Sequence, residues 1–163
     1  MFQVVQNRAP SKREQYLELV EQARALMAGE PDRIANAANL SALVYAVLPD
    51  LNWVGFYFFD GRELVVGPFQ GKPACVRIPL GKGVCGTAAA SRDTVLVEDV
   101  AQFPGHIACD VASRSEIVVP LIASDGQLVG VLDVDSPKLA RFDHEDRTGM
   151  EALARAWLEA VAA

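Results

Sequence analysis

Asn52–Phe59 reads NWVGFYFF, and Asp60-Gly61 follows it as a hairpin turn signal. Aromatic and β-branched side chains fill the run, which predicts a strand. Glu63–Val66 then predicts the returning strand of the hairpin. Helical patterns stand before this hairpin and strand patterns dominate after it, so the fold turns on it. Trp53 and Tyr57 lie four residues apart on the first strand and therefore share a face. Most such aromatics belong to a core; lining an apolar pocket for a methyl or thioether group is the sharper alternative.

Working backward, Ser11–Met27 is predicted helical. Ser11 and Glu14 form a capping-box pattern, and Tyr16, Leu19, Val20, Ala23 and Leu26 recur at helical spacing. Gly29 is a plausible stop. Pro31 and Asp32 suit the first turn of a second helix that runs to about Val47, where Pro49-Asp50 breaks it. Working forward, Gly67–Pro73 is predicted as a loop and Cys75–Pro79 as a strand. Gly81–Gly86 predicts a loop that opens a short helix over about Val84–Ser91, and Thr94–Val97 predicts a buried strand. Glu98–Ser115 shows no period, and a loop of that length is usually functional or mobile. Glu116–Leu121 and Leu128–Val134 form a second apolar hairpin across Asp125-Gly126. Asp143–Ala162 is the closing helix, with Asp143 as candidate N-cap. This order predicts an α+β fold: an antiparallel sheet of about six strands with helices packed on it. Residues 1–163 are expected to form one domain.

Composition narrows the function classes. Hydrophobic residues make up 51% of the 163, ample for a core. No apolar run approaches the roughly 20 residues needed to span a bilayer. Met1–Pro10 lacks the layout of a secretory signal, so a soluble cytoplasmic protein is expected. The net charge of -6 and a pI near 4.9 disfavour nucleic acid and anionic membranes as partners.

There are three cysteines, Cys75, Cys85 and Cys109. An odd number cannot all pair within one chain. In a reducing compartment a transient, catalytic disulfide is the usual exception to free thiols. No C-x-x-C pair exists, so the common zinc spacings are missing. Cys109 sits in HIACD, in the irregular segment, where His106 could lower its pKa and Asp110 would oppose that. Cys75 follows a flexible loop. Cys85 opens a helix, where the dipole favours a thiolate. Spacing alone does not rank the three.

Asp133 and Asp135 alternate in GVLDVDS, so both point to one face. Glu116 leads into IVVPLI. At a strand end these acids fit a solvated edge equally well. In a partly buried pocket, repulsion and desolvation would instead raise at least one pKa and keep a proton available near neutrality. Such a cluster would also hold an ammonium group. Gly81–Gly86 lacks the order of a phosphate-binding loop. His144, Lys72, Lys82 and Arg77 are expected to be solvated.

NWVGFY, GPFQGKPAC, GKGVCGTA, FPGHIACD, SEIVVP and GVLDVDSP, in that order, resemble the free methionine-(R)-sulfoxide reductases, which are single GAF-domain enzymes. The similarity extends back through Tyr16–Tyr45 and so covers nearly the whole chain. The resemblance implies a GAF-like fold, a homodimer and thioredoxin as reductant; no cofactor or metal is expected. It implies that Cys109 is the catalytic cysteine and Cys75 the resolving one. Cys85 matches a third family cysteine. Glu116, Asp133 and Asp135 match pocket carboxylates, and Trp53 and Tyr57 match residues beside the substrate methyl. On this reading Glu116 and Asp135 protonate the sulfoxide oxygen, and Asp133 takes the substrate ammonium. A sulfenic acid on Cys109 is then resolved by Cys75 as a disulfide. The rival readings are a GAF-type sensor of a small ligand and a redox sensor, with a structural zinc protein last.

Overall fold

The strand that opens at Trp53 is third of six in the sheet of the computed structural model, which describes residues 1–6 and 8–162. In chain order the elements are α1 (Lys12–Met27), α2 (Arg33–Val47), β1 (Trp53–Phe59), β2 (Glu63–Gly71) and β3 (Arg77–Pro79). They continue with α3 (Gly83–Ser91), β4 (Val95–Val97), a 3-10 turn (Val100–Gln102), β5 (Ser115–Ile122), β6 (Leu128–Ser136) and α4 (His144–Val161). The sheet order is β3-β2-β1-β6-β5-β4, and every pairing is antiparallel. The expected α+β architecture is the one observed. Among the described residues, no helix is long and apolar enough to cross a membrane.

Local signals set the helix ends. Ser11 Oγ accepts from the Glu14 N–H, and Asp32 caps α2 through the N–H groups of Ile34 and Ala35. Asp143 caps α4 in a full capping box with Asp146.

Two strand expectations need correction. The segment from Gly67, expected as a loop, continues β2 as far as Gly71. The β1–β2 register slips by one residue between Gly55 and Tyr57, and this irregularity absorbs Gly67 and Pro68. Conversely, β3 begins at Arg77 and not at Cys75; Val65 pairs with Arg77, and Cys75 stands before the ladder.

Strand alternation divides the interior in two. Val54, Phe56, Phe58, Ile117, Val119, Leu132 and Val134 face α1, α2 and α4, where they meet Leu19, Leu40, Leu43, Met150, Leu153 and Trp157. The Trp157 ring lies 5.1 Å from Phe56 and 5.8 Å from Phe58. Each fully buried side chain here contributes about 1.5–3 kcal/mol. Helices α1 and α4 approach so closely that a Cβ on Gly149 would stand 2.1 Å from the Tyr16 ring. The opposite face carries Trp53, Tyr57, Val118 and Val131, covered by Val84, Cys85 and Ala88 of α3. That smaller face holds the acids.

Candidate active site

Register places the carboxylates. Asp135 pairs with Trp53 on one side and Glu116 on the other; Asp133 pairs with Gly55 and Val118. Alternation sends Trp53, Tyr57, Asp133, Asp135 and Glu116 to the α3 face together. The solvated reading of the acids fails: Glu116 is 7% exposed and Asp133 5%, while Asp135 is half-buried at the rim. Among the described residues, no lysine or arginine forms an ion pair with any of the three. Asp133 Oδ1 is buried and has no hydrogen-bond partner among the described residues.

Electrostatics follow from that crowding. Burial, then the charges of Asp133 and Asp135, pushes the Glu116 carboxyl well above the usual carboxylate range. Burial, then the charges of Asp133 and Asp110, does the same for Asp135, whose open edge gives onto the cavity. Asp133 rises to about 6 through burial, opposed by hydrogen bonding with Glu116 and Cys85. Like charges this close cannot all ionise, so the cluster holds protons near neutrality.

The three cysteines fall into two kinds. Cys75 and Cys109 are joined in a disulfide. Cys85 is free and buried in the first turn of α3, with its Sγ donating to Glu116 Oε1 at 3.9 Å. The expected dipole-favoured thiolate at Cys85 is overturned: burial, then Asp133 and Glu116, drives its pKa well up and keeps it a thiol. His106 is placed against Glu116, with Nε2 3.9 Å from Oε2. Burial lowers its pKa, so it is no cation for a thiolate.

Trp53 and Tyr57 stack at 5.7 Å, and Trp53 stacks on Phe69 at 5.1 Å. Gly55, between the two, lets the indole lie flat: a Cβ there would be 2.6 Å from the Trp53 ring and 2.3 Å from Phe69 Cβ. Trp53 Nε1 donates to Lys72 O, and Tyr57 Oη donates to Cys75 O, so both aromatics tether the segment carrying Cys75. Burial, then the Asp133 charge, raises the Tyr57 phenol and keeps it neutral.

Sequence reading missed Asn52. Its Nδ2 donates to Asp110 Oδ2 at 3.1 Å and Ser113 Oγ at 3.0 Å, pinning the Cys109 loop to the start of β1. A polar residue immediately before an aromatic strand was the available signal. These groups enclose a cavity of about 40 Å³, walled by Trp53, Tyr57, Cys85, Glu116, Asp133 and Asp135 and bordered by Cys109 and His106. Arg77, by contrast, pairs with Asp60 and Glu63 on the surface, as expected.

The family described as GAF domain matches residues 32–161. Free methionine-R-sulfoxide reductase of Escherichia coli is 54% identical over 153 residues, covering 94% of this chain and 92% of that protein. The structure of free methionine-R-sulfoxide reductase from Neisseria meningitidis in complex with its substrate superposes with a TM-score of 0.93 at 44% identity. It covers 99% of this chain and 96% of that one. A solved Burkholderia vietnamiensis chain, described as a candidate GAF sensor, is 68% identical with a TM-score of 0.90, covering 94% of this chain and 99% of that one. Sheet, helices and acid-lined cavity thus define a GAF-domain protein. Within that class, the chain belongs to the free methionine-R-sulfoxide reductases and is an oxidoreductase.

Proposed function

We propose that this chain reduces free L-methionine (R)-sulfoxide to L-methionine, and that it does so as a single GAF domain with a cycling disulfide. The observation that carries this is the Cys75–Cys109 disulfide at the edge of a cavity walled by three acids that, among the described residues, pair with no lysine or arginine. The Cys109 thiolate attacks the sulfoxide sulfur while Glu116 and Asp135, held protonated by burial, give a proton to the oxygen. Oxygen passes to Cys109 as a sulfenic acid, and methionine leaves. The Cys75 thiol then attacks the sulfenic sulfur, water departs, and the disulfide forms. A dithiol reductant, thioredoxin on this reading, takes the oxidising equivalent and restores both thiols.

Asp133 has the least raised pKa of the three, so it carries the cluster's negative charge and receives the substrate ammonium through its orphaned oxygen. An acylated amine leaves that carboxylate unpaired, which selects the free amino acid. Trp53 and Tyr57 bracket the methyl group. Cys85 acts as a neutral donor that fixes the Glu116 carboxyl. The 40 Å³ cavity of the disulfide form is far below the roughly 300 Å³ at which ligand pockets begin. Reduction and outward movement of the Cys109 loop therefore precede binding. A homodimer and a cytoplasmic location complete the reading.

The test is to incubate the protein with free methionine (R)-sulfoxide and either dithiothreitol or thioredoxin, then quantify methionine. Continuous production is expected from the unaltered chain, none from Cys109→Ser, and about one equivalent from Cys75→Ser with thioredoxin. No methionine from the unaltered chain would favour the sensor reading. Sustained turnover by Cys75→Ser would move the resolving role to Cys85.

A further inference from the structure

Asp133 Oδ1 lies in a side chain only 5% exposed and finds no donor among the described residues. A buried carboxylate oxygen without a partner calls for a cation or a hydrogen-bond donor. Ligand atoms of mixed chemistry gather at this carboxylate: the Cys85 sulfur and carboxylate oxygens of Glu116 and Asp133 lie within 4.8 Å of one another. Cys85 Sγ is 3.9 Å from Glu116 Oε1, and His106 Nε2 is 3.9 Å from Glu116 Oε2. Sulfur, imidazole nitrogen and two carboxylates are donors that zinc takes in tetrahedral sites. Bonds of about 2.0–2.3 Å place such ligands roughly 3.3–3.8 Å apart, so Cys85, Glu116 and Asp133 must draw in by up to about 1.5 Å, and His106, which reaches Glu116 but lies outside that group of three, must swing in with its loop.

The donors arrive from α3, β5, β6 and the loop after the 3-10 turn, which is why no C-x-x-C spacing announces them. The cavity of about 40 Å³ admits an ion with a water, since one water needs about 10–15 Å³. A thiolate in the set selects against magnesium and calcium, which want six or more oxygens.

We propose that the disulfide form of this protein binds one zinc ion in this cradle, through Cys85, Glu116 and Asp133 with His106 as fourth ligand. The Cys85 proton and the proton held by the Glu116 carboxyl leave to solvent as thiolate and carboxylate coordinate. The ion takes the seat given above to the substrate ammonium, so zinc-loaded protein is a resting form. That last consequence rests on the proposed reductase reading; the binding itself does not.

The experiment uses the oxidised chain with its disulfide intact, so that Cys85 is the sole free thiol among three. Cobalt(II) is the optical probe, and equilibrium dialysis counts zinc. The expected result is a near-ultraviolet thiolate-to-cobalt band that saturates at one ion per chain and is bleached by zinc. Cys85→Ser should abolish the band. His106→Ala, a loop substitution that serves even if Cys85→Ser fails to fold, should weaken zinc retention about tenfold or more. Absence of the band, its persistence in Cys85→Ser, or equal zinc retention by His106→Ala overturns the site. Neither readout needs turnover, so a dead reductase assay and a failed zinc site are separate results.

Discussion

Two buried aspartates in this molecule have been given opposite surroundings. Asp146, at the start of α4, is 0% exposed and fully partnered. Its Oδ1 accepts from Tyr16 Oη at 2.7 Å and Arg141 Nη1 at 3.2 Å. Its Oδ2 accepts from Lys12 Nζ at 2.8 Å and from the Asp143 N–H at 2.9 Å. Asp133 is 5% exposed, has one orphaned oxygen, and its ionisable neighbours are two more carboxyls and a thiol. Burial alone therefore does not separate a structural acid from one proposed to bind substrate. Provision of cations and donors does: the first cluster stitches α1 to the start of α4, and the second keeps an electrostatic demand for a ligand to meet.

The largest expected effect breaks the satisfied side. Asp146→Ala strands the Lys12 and Arg141 charges and the Tyr16 hydroxyl, and should destabilise the fold by about 3–5 kcal/mol. Urea unfolding measures it, while the KM of the remaining folded protein should stay within about twofold. A loss below about 1 kcal/mol would show that the two clusters do not differ as described.

Asp133→Asn should act in the opposite sense. Its folded value of about 6 stands above the ordinary 3.8. For a raised carboxyl, stability is complete below the unfolded value and is lost as pH climbs through the folded one. The asparagine variant avoids that loss. It should match the parent near pH 4, pull ahead between pH 4 and 6, and level off about 1–3 kcal/mol more stable above that. Its kcat/KM for the free sulfoxide should fall about 100-fold or more if, as proposed, the ammonium loses its partner. Thermal melts across pH beside initial rates read both; a variant less stable at pH 8 would remove the claim that burial of the Asp133 charge costs stability.

The contrast also explains what the sequence could show. Period-two alternation in GVLDVDS put Asp133 and Asp135 on one face, and the same rule joined Trp53 to Tyr57. Glu116 belongs with them only through the β5–β6 register, which pairs it with Asp135 across a hairpin, and no local pattern states that register. Asp143 was legible as an N-cap. Asp146 was not, because its partners lie on α1 and in the segment before α4. Helix-start logic also misjudged Cys85: desolvation beside carboxyls outweighs a dipole interaction of about 0.3–1 kcal/mol.

The smallest effects come from two tyrosines, one in each region. Tyr16 Oη donates to Asp146 and Tyr57 Oη to Cys75 O, and burial raises both phenols. Tyr16→Phe removes a donor from a buried anion and should destabilise by about 1.5–3 kcal/mol with no effect on turnover. Tyr57→Phe removes a bond to a neutral carbonyl at 3.2 Å and should destabilise by only about 0.5–1.5 kcal/mol. Its ring remains stacked on Trp53, so the KM for sulfoxide should move less than about threefold if the ring alone brackets the methyl. The tether to the Cys75 segment is what disappears, so the step that should slow is disulfide closure. Rapid quench with a thiol-blocking reagent after a single turnover would show it, as sulfenic acid on Cys109 outlasting that of the parent chain. A large rise in KM with unchanged closure would instead assign the hydroxyl to the substrate, and the working side would then contain a fourth polar group that the cluster of acids does not reveal.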